Sequence, residues 1–274
     1  MDGGHRGGRH PPVSGLRIAA VGDLHCGRTP PGELRAVFEA AAQSDVLLLC
    51  GDLTDYGTAE EARVLARELA GVVKAPVLAV LGNHDHESGS PGEVSRILCD
   101  AGVKVLEGDG VEVGGVGFAG AKGFCGGFGQ RTLEPWGEKS VKAFVQEAVD
   151  EAMKLETALA RLRTRQRVAV LHYAPVADTV VGEPSEIYPF LGSSRLEEPL
   201  NRYGVAAVFH GHAHRGSLEG RLSSGAPVYN VAMPLLKRSF PERAPVRFVD
   251  LPAPVEVEGD RRSGVPTRRA EDRS

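Results

Sequence analysis

Five short segments of the sequence carry Asp, Asn and His, residue types that can bind a pair of metal ions. They are Asp23-Leu24-His25, Gly51-Asp52-Leu53-Thr54-Asp55, Gly82-Asn83-His84-Asp85, His172, and Gly211-His212-Ala213-His214. A two-metal hydrolase needs neutral imidazole and hard oxygen ligands, with one carboxylate bridging both ions, to clamp the attacking and leaving oxygens of an in-line displacement. This donor set suits manganese, iron, zinc or cobalt better than calcium or magnesium, and its lack of cysteine argues against a structural zinc.

Most of these segments come directly after a run of apolar residues that is typical of a buried β-strand. The runs are Ile18 to Val21, Val46 to Leu49, Val77 to Leu81, Val168 to Leu171 and Val205 to Phe209. An α/β protein builds its sites where strands end in loops, so these segments occupy the positions expected of a site.

Each segment taken alone has an ordinary explanation. An isolated Asp-x-His or Gly-Asp is commonly a turn or a helix cap, and a lone buried His is more often a hydrogen-bonded core residue than a ligand. A single short motif also carries a high risk of a false match. All five segments, in this order and on strand ends, make chance a poor explanation.

Together the five segments resemble those of the calcineurin-like metallophosphoesterases, over roughly residues 16 to 250. The resemblance implies an α/β fold in which two mixed β-sheets form a sandwich flanked by helices. It implies hydrolysis of a phosphomonoester or phosphodiester by a hydroxide that bridges two metal ions, with manganese the first choice and iron, zinc or cobalt as alternatives. The implied ligands of the first ion are Asp23, His25, Asp52 and His214, and those of the second are Asp52, Asn83, His172 and His212.

The resemblance also implies catalytic roles for His84 and Asp55. His84 would be the general acid or would stabilise charge in the transition state. Asp55 matches the carboxylate that pairs with this His in the phosphatase branch, where it would set the tautomer of the imidazole and raise its pKa. The ordinary alternative is that Asp55 caps the loop before Thr58. Tyr56 stands where protein Ser/Thr phosphatases carry Arg, which disfavours a protein phosphatase.

The length of the chain allows one large α/β domain or two small ones. The chain has 274 residues, of which 25% are charged and 42% hydrophobic, as is usual for a globular protein. We expect the phosphoesterase domain to occupy residues 15–252, between polar tails at 1–14 and 253–274 that we expect to be disordered. The net charge of −4 favours neither nucleic acid nor an anionic membrane as a partner.

The sequence also bears on location. No segment is apolar over the length of a membrane span, and the first residues contain no apolar stretch of the kind found in secretory signals. The cysteines, Cys26, Cys50, Cys99 and Cys125, show no paired spacing. We therefore expect free thiols in a reducing compartment and a cytoplasmic protein.

Periodicity predicts the elements that surround the motifs. Helices are expected over Pro31–Gln43, Thr58–Val73 with a Thr58/Glu61 capping box, Ser90–Ala101, Lys139 to about Thr164, and Ser194–Tyr203 with Ser194 as N-cap. A hairpin is expected around Gly114-Gly115, and further strands over Gly216–Arg221 and Val228–Ala232. The glycine-rich stretch between Gly120 and Gly137 is long enough to be a functional or a disordered loop.

Two other functions stay open at this stage. A nuclease of the same superfamily would use the arginines at 161, 163, 165 and 167 and the aromatic residues of the glycine-rich loop, against an acidic overall charge. A non-catalytic scaffold would be expected to have lost ligands, and none of the expected ligands is missing. Lys122, Arg131 and Arg195 could supply positive charge to a substrate, although a surface role is the simpler expectation. The apolar stripe of the long helix packs on its own domain or serves a homo-oligomer.

Overall fold

The computed structural model describes residues 15–30 and 32–253. The predicted N-terminal tail lies outside the described residues, and so does the predicted C-terminal tail after residue 253. The strands are β1 (Leu16–Val21), β2 (Val46–Cys50), β3 (Val77–Val80), β4 (Val103–Val105), β5 (Asp109–Val113), β6 (Val116–Gly120), β7 (Gln166–Val170), β8 (Ala207–His210), β9 (Glu219–Arg221), β10 (Pro227–Asn230) and β11 (Arg247–Leu251). The α-helices are α1 (Glu33–Ala41), α2 (Ala59–Leu69), α3 (Pro91–Asp100), α4 (Lys139–Arg161), α5 (Tyr188–Leu191), α6 (Glu197–Arg202) and α7 (Met233–Ser239).

The strands form two mixed sheets, as predicted. The first has the order β11-β1-β2-β3-β4, in which β1 to β4 are parallel and β11 pairs antiparallel with β1. The second has the order β5-β6-β7-β8-β10-β9, in which the four central strands are parallel and both edge strands antiparallel. The antiparallel edges of the second sheet come from short connections, such as the predicted hairpin at Gly114 and Gly115, both of which adopt positive φ.

The two sheets pack face to face, and helices cover their outer faces. Side chains alternate along each strand, so Ile18 and Ala20 of β1 enter the core between the sheets while Ala19 and Val21 enter the core under α1, α2 and α3. The second sheet is covered by α4 and α6, whose apolar side chains share a third core with it. The long runs without polar residues are thus explained by strands that are buried on both faces.

The five predicted helices are present with differences at their ends, whereas α5 and α7 were not predicted. In α2 the predicted capping box is present, since Glu61 N donates to Thr58 Oγ1 and Thr58 N donates to the Glu61 carboxylate. The N-cap predicted at Ser194 is wrong by one residue: the Ser193 side chain accepts from Arg195 N and begins a 3₁₀ turn that leads into α6. None of the described helices has both the length and the apolar composition needed to cross a bilayer.

The segments that carry the predicted ligands follow the carboxyl ends of parallel strands in both sheets. Asp23, Asp52 and Asn83 follow β1, β2 and β3, and His172 follows β7. Backbone hydrogen bonds tie these ends together, from Asp23 N to Gly51 O at 2.9 Å within the first sheet and from Gly211 N to His172 O at 3.2 Å within the second. The sandwich therefore delivers polar side chains from both sheets to one edge.

Candidate metal centre

All seven predicted ligands lie in one cluster at this edge. Potential ligand atoms lie within 4.8 Å of one another in each of three overlapping groups: Asp23, His25 and His214; His25, Asp52 and His84; and Asp52, His172 and His212. The amide oxygen of Asn83 is 2.9 Å from His172 Nε2. Because Asp52 belongs to two of the groups, its carboxylate lies between the ligands that come from the two sheets.

The backbone is strained at four of these residues. Among the residues that the structure describes, the non-glycine residues with positive φ are Asp23 (57°), His25 (43°), Asp52 (48°) and His212 (68°). A left-handed conformation costs an ordinary residue roughly 1–2 kcal/mol. Strain of this kind clusters at functional sites, where the surrounding structure holds it in place.

The hydrogen bonds of His172 identify which of its nitrogens is available to a cation. Its Nδ1 is 3.0 Å from Cys50 O, and a carbonyl can only accept, so Nδ1 carries the proton. Burial lowers the pKa of His172 to about 4, so at neutral pH Nε2 carries a lone pair. That lone pair faces the Asn83 oxygen at 2.9 Å and Asp52 Oδ1 at 3.4 Å. His172 Nε2 and these two oxygens are all acceptors, and no hydrogen lies between them. A bound cation would satisfy all three.

Two other predicted ligands, His212 and His25, repeat this arrangement. His212 Nε2 is 3.2 Å from Phe190 O, which leaves Nδ1 unprotonated, and burial lowers the pKa of His212 to about 3. His25 Nε2 is buried without a hydrogen-bond partner among the described residues and lies 3.9 Å from Asp52 Oδ2. A buried nitrogen of this kind normally has a partner. The residues present therefore fit a pair of divalent cations in the donor types they offer.

The pKa values of the Asp23 and Asp52 carboxylates are shifted in opposite directions. Burial works to raise the pKa of Asp23, but the hydrogen bond and charge of His214, 2.9 Å away, outweigh it and lower that pKa below its usual range. Burial, together with the charge of Asp23, raises the pKa of Asp52 to about 7. Ionising the Asp52 carboxylate is therefore costly in the protein alone, and nearby positive charge would stabilise its ionised form.

Asp55 has a different principal partner from the one that its sequence position suggests. Its Oδ1 is 3.1 Å from His25 Nδ1 but 3.9 Å from His84 Nδ1. His84 Nδ1 instead lies 2.7 Å from the backbone oxygen of Asp55. The reason is that the chain beyond Asp52 runs beside the His25 loop, with Cys26 and Thr54 in a bridge, so the Asp55 side chain is directed at His25.

Comparison with known proteins agrees with this geometry. The sequence profile described as calcineurin-like phosphoesterase matches residues 16–216, from β1 to just beyond the last predicted ligand. The chain belongs to the calcineurin-like phosphoesterase family. It is accordingly a metal-dependent phosphoric ester hydrolase, and its substrates are phosphate esters. The search of curated proteins returns no match.

Solved structures show the same fold. The crystal structure of a phosphopantetheinyl hydrolase from Mycobacterium tuberculosis has a TM-score of 0.62 at 15% identity, covering 86% of this chain and 96% of that one. TT1561 of Thermus thermophilus has a TM-score of 0.53 at 13% identity, covering 86% and 99%. GAP50, described as the anchor in the inner membrane complex of Plasmodium, has a TM-score of 0.52 at 13% identity, covering 81% and 72%. At these identities the likeness concerns the fold.

Asp85 lies beside the candidate ligands, and sequence reasoning gave it no role. It is fully buried and accepts hydrogen bonds from Gly82 N, Leu53 N, Thr54 N and Thr54 Oγ1 at 2.6–3.1 Å. These donors belong to the loops after β2 and β3, so one carboxylate holds the loop of Asp52 against the loop of Asn83. The position of Asp85 in the third segment was the one sequence signal for a role at the site. Its hydrogen-bond donors in the loop after β2 lie about thirty residues away along the chain, so the sequence did not indicate them.

Two of the three basic residues considered as possible sources of positive charge for a substrate are engaged elsewhere. The Lys122 ammonium donates to Gly123 O and lies over the rings of Phe124 and Tyr173. Arg195 is bound to the Leu133 carbonyl and the Glu134 carboxylate. Neither contact includes a predicted ligand. The aromatic residue Phe124 packs against Phe144 in the core under α4 rather than forming an open stacking surface.

Gly82, the glycine of the third segment, lies so close to Asp52 that a larger residue would not fit there. A Cβ on Gly82 would lie 2.2 Å from Asp52 Oδ1 and 2.2 Å from Asp52 N, far inside van der Waals contact. We expect Gly82→Ala to displace Asp52 and to lower turnover of any phosphate ester by about 10² or more, the scale of a 1 Å misplacement of a reacting group. Steady-state kinetics and bound-metal analysis on the purified variant measure this.

The matched control is Gly92→Ala in α3, where an added Cβ meets nothing within 4 Å. This control should keep full activity and gain roughly 0.5–1 kcal/mol in the free energy of unfolding, because alanine favours a helix more than glycine does. Normal turnover and normal metal content in Gly82→Ala would show that Asp52 is not held where we describe it.

Proposed function

We propose that this phosphoesterase cleaves phosphate esters with two divalent metal ions, manganese being the first choice and iron, zinc or cobalt the alternatives. The observation that carries the proposal is the position of Asp52. Its two oxygens face in different directions, Oδ1 toward His172 Nε2 at 3.4 Å and Oδ2 toward His25 Nε2 at 3.9 Å. Neither Nε2 carries a proton on the side that faces Asp52, so each nitrogen can serve as a metal ligand beside the same carboxylate.

We assign the ligands to the two ions as the family resemblance implies, and the three groups of neighbouring ligand atoms support this assignment. The first ion would be held by Asp23, His25, Asp52 and His214, and the second by Asp52, Asn83, His172 and His212. A pair of such ions, when bound, activates a water as nucleophile and offsets charge on the phosphoryl oxygens. The protein supplies fixed ligand directions, since His172 and His212 are oriented by the carbonyls of Cys50 and Phe190.

His84 is proposed to act on the substrate directly. Its Nδ1 is anchored on Asp55 O at 2.7 Å, and its side chain is 38% exposed, so Nε2 is the nitrogen left to meet a substrate oxygen. Its backbone N donates to Asp52 Oδ1 at 2.8 Å, which couples its position to the bridging carboxylate. His84 can therefore stabilise charge on a phosphoryl oxygen or protonate the leaving oxygen. Asp55 is proposed to support this site through its contacts with both imidazoles.

The nuclease alternative has little support from the arrangement of charge. The arginine cluster ends at Arg167, the second residue of β7, whereas His172 lies beyond the end of that strand, so five residue steps separate the nearest arginine of the cluster from His172 along the chain. At about 3.3 Å per residue this is roughly 17 Å. Arg167, in that cluster, is bound to the carbonyls of Tyr203 and Leu162. A basic groove leading to the ligands would have favoured the nuclease.

The experiment that tests the proposed function is a substrate panel with metal control. Protein stripped with a chelator should be inactive, and manganese should restore hydrolysis of at least one phosphomonoester or phosphodiester. The panel should include a phosphopantetheinyl ester, because the name of the Mycobacterium tuberculosis protein makes that class worth testing. Restoration should require two equivalents of metal per chain. Full activity after complete metal removal would refute the proposal.

A further inference from the structure

The Asp55 carboxylate is placed by backbone contacts that do not depend on a bound ion. Asp55 N donates to Cys26 O at 3.1 Å, Cys26 N donates to Leu53 O at 3.0 Å, and His25 N donates to Asp52 O at 2.9 Å. The loops after β1 and β2 therefore run side by side like a short piece of sheet. This arrangement puts the buried Asp55 side chain against the ring of His25.

The contact determines the tautomer of His25. With Asp55 Oδ1 at 3.1 Å, Nδ1 is the nitrogen that carries the proton, because an ionised carboxylate can only accept. Nε2 is then the unprotonated nitrogen, and it is the one that is buried without a hydrogen-bond partner in the part of the chain that the structure describes. The ring is thus locked with its free lone pair directed to the first group of ligands.

The other oriented histidines have neutral supports. His172 Nδ1 is held by Cys50 O and His212 Nε2 by Phe190 O. A carboxylate makes the imidazole that it holds a stronger ligand than a carbonyl does. The proposed ligands of the first ion also include two carboxylates, Asp23 and Asp52, whereas those of the second ion combine only Asp52 with the neutral amide of Asn83. The charge of Asp55 adds to an imbalance that already favours the first ion.

We propose that Asp55 is a positioning residue for His25 and that, through it, the first metal site binds its ion more tightly than the second. The proposal rests on the two-metal function proposed above. It assigns the principal effect of Asp55 to metal affinity rather than to proton transfer by His84. The two ions would then bind in sequence, with the weaker second site determining how much metal the enzyme needs for activity.

The test is calorimetric titration of manganese into the metal-free full-length protein. Wild type should show two classes of site, one ion each. Asp55→Asn keeps the shape of the side chain and an acceptor oxygen but removes the charge, so it should weaken the tight class by about 10–100-fold and leave the weak class within about twofold. Asp150→Asn is the matched control, since Asp150 is exposed on α4 and its side chain accepts, among the described residues, only a hydrogen bond from Gln146; both metal affinities of this variant should equal those of wild type.

The outcomes separate this proposal from the proposed function. If wild type binds no pair of ions, the function itself fails. If wild type binds two ions of equal affinity, or if Asp55→Asn leaves the tight class unchanged, the function stands and the role of Asp55 is overturned. If Asp55→Asn does not fold, the ring nitrogen shifts of His25 in metal-free wild type decide, with His25→Asn used for assignment. Protonation at Nδ1 supports the proposal, and protonation at Nε2 overturns it.

Discussion

Asp52→Asn is expected to abolish phosphate-ester hydrolysis and to release at least one of the two metal ions. An amide has one acceptor atom in place of two and presents an NH₂ group on the other side. If its oxygen keeps the hydrogen bond from His84 N, now 2.8 Å from Asp52 Oδ1, the NH₂ faces His25 Nε2 and excludes a cation there. We expect turnover to fall by more than about 10³-fold, the upper range for removal of a single preorganised stabilising group.

Elemental analysis after dialysis and steady-state kinetics measure the two parts of this prediction. The control is again Asp150→Asn, the same chemical change on the exposed face of α4, which should behave as wild type. Circular dichroism should show that the Asp52 variant is folded, because its loop is also held by hydrogen bonds to the Asp85 carboxylate. Two tightly bound ions and near-normal turnover in Asp52→Asn would mean that the ligand assignment is wrong.

His84→Asn is expected to keep both metal ions and yet lose turnover by about 10²–10⁴-fold, the usual contribution of a general acid or charge-stabilising group. His84 is assigned no metal in our scheme, although it lies close to His25, with ring centroids 4.6 Å apart. The measurement is kcat and KM for a matched pair of esters, one with an alkoxide leaving group and one with a nitrophenolate. Metal content is measured on the same preparation.

The leaving group separates the two roles of His84. A nitrophenolate leaves without protonation, so its ester should lose less than the alkyl ester if His84 is a proton donor. Equal losses for both esters would identify His84 as a stabiliser of the phosphoryl oxygens instead. Loss of one metal ion from His84→Asn would contradict our assignment and make His84 a ligand, as its grouping with His25 and Asp52 allows.

The strand ends that carry the site could be predicted because they have a simple physical signature. The run Val46–Leu49 before Asp52 predicts a buried strand, and β2 extends one residue further, to Cys50. Such runs are easily recognised when both faces of a strand are buried. The division into two sheets came from the family resemblance, since apolar runs alone do not determine which strands pair. The edge strands β4 and β11 had no such run and were not predicted.

The contacts between loops could not be predicted, and the reason is distance along the chain. The partner of Asp55 is His25, thirty residues away, and partners of Asp85 lie in the loop after β2. These pairings depend on how the loops at the carboxyl edge lie against one another, which is set by backbone hydrogen bonds and by positive φ at residues such as Asp52. Sequence motifs identify the residue types at a site, but the geometry decides which side chain supports which ligand.

The most direct test of the account is anomalous X-ray diffraction from crystals of the protein loaded with manganese, recorded above and below the manganese absorption edge. We predict two anomalous peaks about 3.5–4 Å apart, with the Asp52 carboxylate between them, His25 on one and His172 on the other. A single peak, or two peaks that do not share Asp52, would contradict the two-metal centre on which the proposed function depends.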